Sequence, residues 1–341
     1  MAGVRRRDEP ISPASLRDRD HRKLIFHPRI FREGRVSTKL FFPWIWSFPF
    51  LGLLFLTGCG PNYFLLHPVQ PVPEIYREME MFDRGQLRVH WLARYPERPK
   101  LLPAVLVHPD RGSFAADMEG ICLDLAQRGY FAAAANYQRL ENLEEKNPLI
   151  PWKRPEDMVA ALRHLQKHPR VDPGRIALLG FSRGAVVSLQ IASMDPSIKA
   201  VVAYYGLADF EKWLDVDQYS FPKSLFFRWI RGEFVKEMGA ANWEEARPRL
   251  REISPIHLAA RIEAPVLLIH GEQDHTIPVD ESRRLYAALQ SKGKGSELLI
   301  IPGAGHVFNF IDKKQGEFAW EKTVLFLNRY LTSFSKPREG A

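Results

Sequence analysis

From Gln86 onward, short runs that are apolar at nearly every position alternate with stretches whose apolar residues recur at helical spacing. No other feature narrows the fold so far. "LLPAVLVHP", "FAAAANY", "RIALLGF", "IKAVVAYYG", "APVLLIHG" and "ELLIIPG" have the length and uniform apolarity of strands covered on both faces. "QLRVHWLARY" alternates instead and reads as a half-buried strand. Between these runs lie helix-spaced segments, including "AADMEGICLDLAQRGY", "PEDMVAALRHLQKHP", "GAVVSLQIAS" and "DESRRLYAALQSKG", and "FAWEKTVLFLNRYL" closes the series. The pattern predicts an α/β fold, a mostly parallel central sheet with helices on both faces. No repeat period is visible.

The segment between Leu207 and Pro255 breaks this rhythm, with nine Phe, Trp and Tyr residues between Phe210 and Trp243. It reads as a helical insertion over about 208–255, a cap at the carboxyl edge of the sheet. Its aromatic side chains either pack the insertion onto the domain or line a pocket.

The 341 residues are 45% hydrophobic and 26% charged, which suits a globular body with a sizeable core. A net charge of +8 suggests nucleic acid, but residues 1–58 hold eleven Lys/Arg against five Asp/Glu. The body is therefore close to neutral, and it has no basic cluster interleaved with aromatics, so no nucleic-acid partner is expected. Cys59 and Cys122 are the only cysteines, too few for a disulfide framework. Cys122 lies in a helix-like stretch and reads as a small buried apolar residue.

One strand-to-helix junction is unusual. In "RIALLGFSRGAVVSLQIAS" a buried run ends in a serine held between Gly180 and Gly184. Ligands of open α/β sheets bind at the carboxyl ends of strands. There, glycines on either side of Ser182 permit a tight turn that lifts the hydroxyl above the sheet, the G-x-S-x-G nucleophile elbow. As a plain structural element, Ser182 would be a helix N-cap. A serine hydroxyl is a weak nucleophile unless a base is within reach and an acid orients that base. On such a sheet the expected chain order is Ser, Asp/Glu, His. "HGEQDHTIP" supplies Asp274 just past one strand, and "IPGAGHVF" supplies His306 just past the next. Asp209 in "YYGLADF" is the competing acid, and Glu272 sits too close to its strand. His270 and His275 flank the acid out of order. His108 ends an earlier strand and belongs to the loop "HPDRGS". The oxyanion of an acyl-transfer intermediate needs fixed N–H donors. The Arg183 N–H is expected to be one, and Asp110 or Arg111 the other, because Pro109 has no N–H to give.

These motifs resemble the α/β-hydrolase superfamily, in particular the dienelactone hydrolase group and the catalytic domains of prolyl oligopeptidases. The resemblance runs from Gln86 to Leu331 and is strongest in "RVDPGRIALLGFSRG", "IKAVVAYYG" and "SPIHLAARIEAPVLLIHGEQDHTIPVDESRRLYAAL". It implies Ser182 as nucleophile, Asp274 as acid and His306 as base, acting on a small-molecule carboxylic ester without metal or organic cofactor. Three departures stand out. Dienelactone hydrolase commonly has a cysteine where this chain has Ser182. Nothing here is long enough to form the propeller of prolyl oligopeptidases. Arg183 occupies an elbow position where relatives often carry a small or apolar residue. A peptidase or thioesterase using the same triad is the nearest alternative, and an envelope-binding lipoprotein that does no chemistry is the alternative of a different kind.

At the front, no charge occurs between Leu40 and Cys59, although Pro43 and Pro49 interrupt the run. It ends in "LTGC", Leu56 to Cys59, which resembles the lipobox of bacterial lipoproteins, with Lys39 as the positive n-region charge. The resemblance implies cleavage before Cys59 and lipidation of its thiol, and Gly60 in place of aspartate favours the outer membrane. An uncleaved membrane anchor is the simpler alternative. Both place the body outside the cytoplasm, tethered to a membrane. The expected organisation is therefore a leader and lipoprotein-type signal over 1–58, a tether over 59–80 and a hydrolase domain over 81–335. The long stretch before the apolar run suggests that translation begins at Val36. Mass analysis of the precursor and the mature chain tests both expectations. A precursor starting at residue 36 and a mature chain starting at a lipid-modified Cys59 are predicted. A precursor peptide "DEPISPASLR" contradicts the start, and an unmodified Cys59 contradicts the anchor.

Overall fold

The computed structural model describes residues 72–140, 155–291, 293 and 295–332. Cys59, the leader and most of the expected tether lie outside them. Eight strands form one sheet: β1 (Ile75–Arg84), β2 (Leu87–Pro96), β3 (Leu102–His108), β4 (Phe131–Arg139), β5 (Val171–Phe181), β6 (Ala200–Tyr204), β7 (Val266–Gly271) and β8 (Glu297–Ile301). Their order is β1-β2-β4-β3-β5-β6-β7-β8. β1 and β2 pair antiparallel, as do β2 and β4, and every later pairing is parallel.

The helices are α1 (Glu119–Gln127), α2 (Pro155–Lys167), α3 (Arg183–Met194), α4 (Phe210–Trp213), α5 (Lys223–Glu237), α6 (Trp243–Ile253), α7 (Pro255–Leu258), α8 (Asp280–Gln290), α9 (Phe308–Ile311) and α10 (Lys313–Leu331). Two cores follow from this arrangement. On one face α2, α3 and α8 cover the sheet, through Leu162, Leu189 and Leu285 among others. On the other, α1 and α10 bury Leu125, Trp320 and Leu327. Strands β3, β6 and β7 are buried at every position, because each has a helical layer on both sides. Cys122 is one of the α1 residues in the second core.

The insertion forms a third cluster of its own. Phe210, Ile230, Phe234 and Leu250 pack together and rest on Val186, Leu207 and Ile277. Those three follow β5, β6 and β7 respectively, so the cap sits at the carboxyl edge of the sheet. Its aromatics divide between two settings. Tyr219 stacks on Phe227, and Trp213 meets Phe227 and Phe234 edge-on, whereas Phe221 is 75% exposed and Trp229 55%.

The tether boundary needs correction. Ile75–Arg84, which reaches back into the expected 59–80 tether, is a ten-residue strand paired with β2 from Ile75↔Pro96 to Arg84↔Leu87. It is an edge strand, and no residue in it is fully buried. Its sequence therefore carries no apolar run to announce it. Gly85, with φ of 59°, makes the tight turn into β2. Among the described residues no helix is long and apolar enough to cross a membrane.

Candidate active site

The parallel register levels the ends of β5, β6, β7 and β8, and the site is built on the loops that leave them. Ser182 follows β5 with φ of 50° and ψ of −112°, a conformation that strains any residue with a side chain. Its N–H donates to the Tyr204 carbonyl at 2.9 Å, and its own carbonyl accepts from Ala185 at 3.0 Å, so α3 begins at once. The turn closes only because two neighbours lack side chains. A Cβ at Gly180 would lie 2.5 Å from the Ala185 nitrogen, and one at Gly184 would lie 2.6 Å from the Pro109 carbonyl oxygen. The Gly184 approach presses the loop after β3 against the elbow. Asp110 and Arg111 follow directly from that contact, with Asp110 buried and Arg111 half-buried. Burial lowers the pKa of the Arg111 guanidinium. Arg183 is the first residue of α3, whose initial amides face the N-terminal end of the helix.

The loops after β7 and β8 are stitched to each other. Glu272 N–H donates to the Ile301 carbonyl at 3.0 Å, and Gln273 N–H donates to the Ala304 carbonyl at 2.8 Å. The Glu272 carboxylate in turn accepts from the Gly303 N–H at 3.1 Å. This zipper brings Asp274 to His306. Asp274 Oδ2 accepts from His306 Nδ1–H at 2.6 Å, and His306 Nε2 lies 3.1 Å from Ser182 Oγ. An ionised carboxylate only accepts, so the proton of neutral His306 is on Nδ1 and Nε2 is free to take one from serine. Asp274 Oδ1 accepts from the Thr276 and Ile277 amides, each at 2.8 Å. Burial works against the Asp274 charge. The N–H groups of His270 and His306 outweigh it and hold the pKa at about 2.

The structure thus brings together Ser182, Asp274 and His306 and leaves Asp209, His275 and His108 in other roles. Asp209 caps α4 by accepting from the Lys212 N–H and pairs with Arg284. His275 is exposed. His108 is buried against Ser188 Oγ at 2.9 Å and the Tyr137 hydroxyl at 3.3 Å, and burial pushes its pKa down to about 3. Tyr205 joins the site without a motif to mark it. It follows β6 with φ of 38°, sets its ring edge-on to His306 at 4.7 Å and donates its hydroxyl to Asn309 Oδ1 at 2.7 Å. Its only trace in the sequence is an aromatic just past an apolar strand. Among the described residues no group of three or more His, Cys, Asp or Glu is arranged to hold a metal ion.

A family model of the dienelactone hydrolase family matches residues 91–331. The chain belongs to that family and has the α/β-hydrolase fold. It is 26% identical over 268 residues to a Bradyrhizobium protein named as a probable 2-oxo-3-(5-oxofuran-2-ylidene)propanoate lactonase, a match covering 74% of this chain and 94% of the relative. Its fold is similar to that of the Pyrococcus horikoshii acylaminoacyl peptidase, with a TM-score of 0.62 at 20% identity over 79% of this chain and 44% of the peptidase. Acetyl xylan esterase 1 of Thermoanaerobacterium gives a TM-score of 0.55 at 18% identity, over 76% of this chain and 89% of the esterase.

Two outcomes follow from this packing. Gly184→Ala lowers the unfolding free energy by roughly 1–3 kcal/mol in urea denaturation, because backbone must move. Gly232→Ala, in α5 with nothing within 4 Å of the new methyl, raises it by up to about 1 kcal/mol. Equal effects at the two positions contradict the close approach. The depressed Asp274 pKa also has a definite sign. A carboxyl whose pKa is lower in the folded chain contributes stability above its unfolded value, and that contribution is lost as pH falls through the folded one. The stability gap between the native chain and Asp274→Asn is therefore constant above about pH 4 and narrows by on the order of 2 kcal/mol as pH approaches 2. A gap that widens on acidification contradicts the assignment.

Proposed function

We propose that this chain is a serine hydrolase that cleaves carboxylic esters through an acyl-enzyme. One observation carries the reading: His306 Nε2 stands 3.1 Å from Ser182 Oγ while Nδ1 stands 2.6 Å from Asp274. As Ser182 Oγ attacks the carbonyl carbon, His306 Nε2 takes its proton, and Asp274 holds the Nδ1–H and balances the imidazolium charge. The carbonyl oxygen becomes an oxyanion, met by the Arg183 N–H and by a second N–H from Asp110 or Arg111. The imidazolium then gives its proton to the departing alkoxide, leaving an acyl group on Ser182. Water, deprotonated by His306 in turn, attacks that acyl carbon; the bond to Ser182 Oγ then breaks, the imidazolium returns its proton to Oγ, and the acid leaves.

Esters are favoured over peptides on two grounds. The relative that this chain spans nearly end to end bears the name of a lactonase, and a lactone is a cyclic ester. The peptidase that resembles it is covered over less than half of its length. The aromatic cap suits a moderately apolar acyl or alcohol group. With a lipid anchor at Cys59, the enzyme works in the cell envelope, with the outer membrane favoured, on small-molecule esters.

The test compares native chain and Ser182→Ala on p-nitrophenyl esters of graded acyl length and with a fluorophosphonate probe. Turnover falls by at least about a thousandfold in the variant, and labelling is lost. A folded native chain that neither labels nor turns over contradicts the reading and favours a binding protein.

A further inference from the structure

His270 is the penultimate residue of β7 and is fully buried, and no step of the reaction above touches it. Both of its ring nitrogens are nevertheless engaged. Nδ1 lies 2.7 Å from Ser282 Oγ, and Nε2 lies 2.8 Å from the Ile277 carbonyl oxygen. The same Nε2 is 3.3 Å from Asp274 Oδ2, the oxygen that accepts from His306. A carbonyl can only accept, so Nε2 carries the proton. In the neutral ring Nδ1 then accepts from the Ser282 hydroxyl.

The consequence is a closed loop around the acid. The Ile277 N–H donates to Asp274 Oδ1, the Ile277 carbonyl accepts from His270, and His270 stands beside Oδ2. A carboxylate held by donors on one oxygen alone can still pivot about its bond to Cβ. The backbone amides of Thr276 and Ile277 hold Oδ1, whereas Oδ2 accepts from His306, the ring that Asp274 must itself orient, so His270 is the neighbour that braces Oδ2 independently of His306. Ser282 itself is well anchored, because it lies in the first turn of α8 beside Glu281. The Glu281 carboxylate accepts from the Ala208 and Asp209 amides at 3.1 and 2.9 Å and pairs with Arg284.

We propose that His270 is a positioning residue: its Nε2–H, shared between the Ile277 carbonyl and Asp274 Oδ2, fixes the Asp274 carboxylate and through it the orientation of His306 toward Ser182. This rests on the serine-hydrolase reading of the same site. The effect is on kcat, because the orientation of His306 governs proton transfer and not the binding of substrate.

The experiment uses the full chain with three variants, assayed on a p-nitrophenyl ester and followed by the low-field proton resonance of the His306 Nδ1–H. His270→Phe keeps an aromatic ring without donor or acceptor. It is expected to lower kcat roughly 10- to 100-fold with KM within about twofold, and to shift or broaden the resonance. His270→Gln places an amide N–H near the position of Nε2 and is expected to restore most of the loss, which filling the space alone would not do. Ser282→Ala frees Nδ1 and is expected to lower kcat a few-fold, so the inference stays testable if the Phe variant fails to fold. Native kcat and an unmoved resonance in a folded His270→Phe overturn the inference. Should that variant not fold, the same result in Ser282→Ala overturns it. A native chain that neither turns over ester nor reacts with the fluorophosphonate is a different failure, that of the hydrolase reading itself.

Discussion

The site depends on backbone approaching backbone where side chains are missing. Gly184 admits the loop after β3 to the elbow, Gly180 admits the first turn of α3, and Gly271 admits the loop that carries His306. At Gly271 a Cβ would lie 2.5 Å from the Ala304 carbonyl oxygen and 2.6 Å from that of Gly305. The Gly184 and Gly271 approaches each join segments that leave neighbouring strands, and the Gly180 approach closes the elbow on itself. The strain at Ser182 persists because the sheet below and the helix behind it leave the turn no other path. Three side chains far apart in sequence therefore meet within hydrogen-bond distance on a rigid base, while the cap rests on the same edge of the sheet.

Electrostatics completes what packing begins. Asp274 is buried and charged, an arrangement that is unfavourable unless donors surround the carboxylate. Two backbone amides meet Oδ1 and two histidines meet Oδ2. The two histidines differ in kind. His306 is partly exposed and faces the serine, whereas His270 is sealed in the core with both nitrogens engaged. In the proposed reaction one moves a proton and the other keeps the acid still.

Much of this was legible in the sequence, for identifiable reasons. β3, β6 and β7 announce themselves because burial on both faces demands apolar residues throughout. Ser182, Asp274 and His306 stand out because each follows a short apolar run, and glycines bracket the serine and precede the histidine. β1 did not stand out, since an edge strand with outward-facing charges looks like a linker. The roles of Tyr205 and His270 were equally hidden, because they arise from contacts made only when the loops after β6, β7 and β8 converge. The sequence names Asp110 and Arg111 as alternatives for the second oxyanion donor, and both follow the His108–Pro109 backbone that Gly184 admits against the elbow.

The central claim is that Ser182 carries the acyl group. The most direct measurement is rapid acid quench of the protein during turnover of a slowly deacylating ester, followed by intact mass and peptide mapping. One added acyl mass, located on the peptide containing Ser182, is expected. Ester turnover with no acyl group on Ser182, or with the group on another residue, would contradict it.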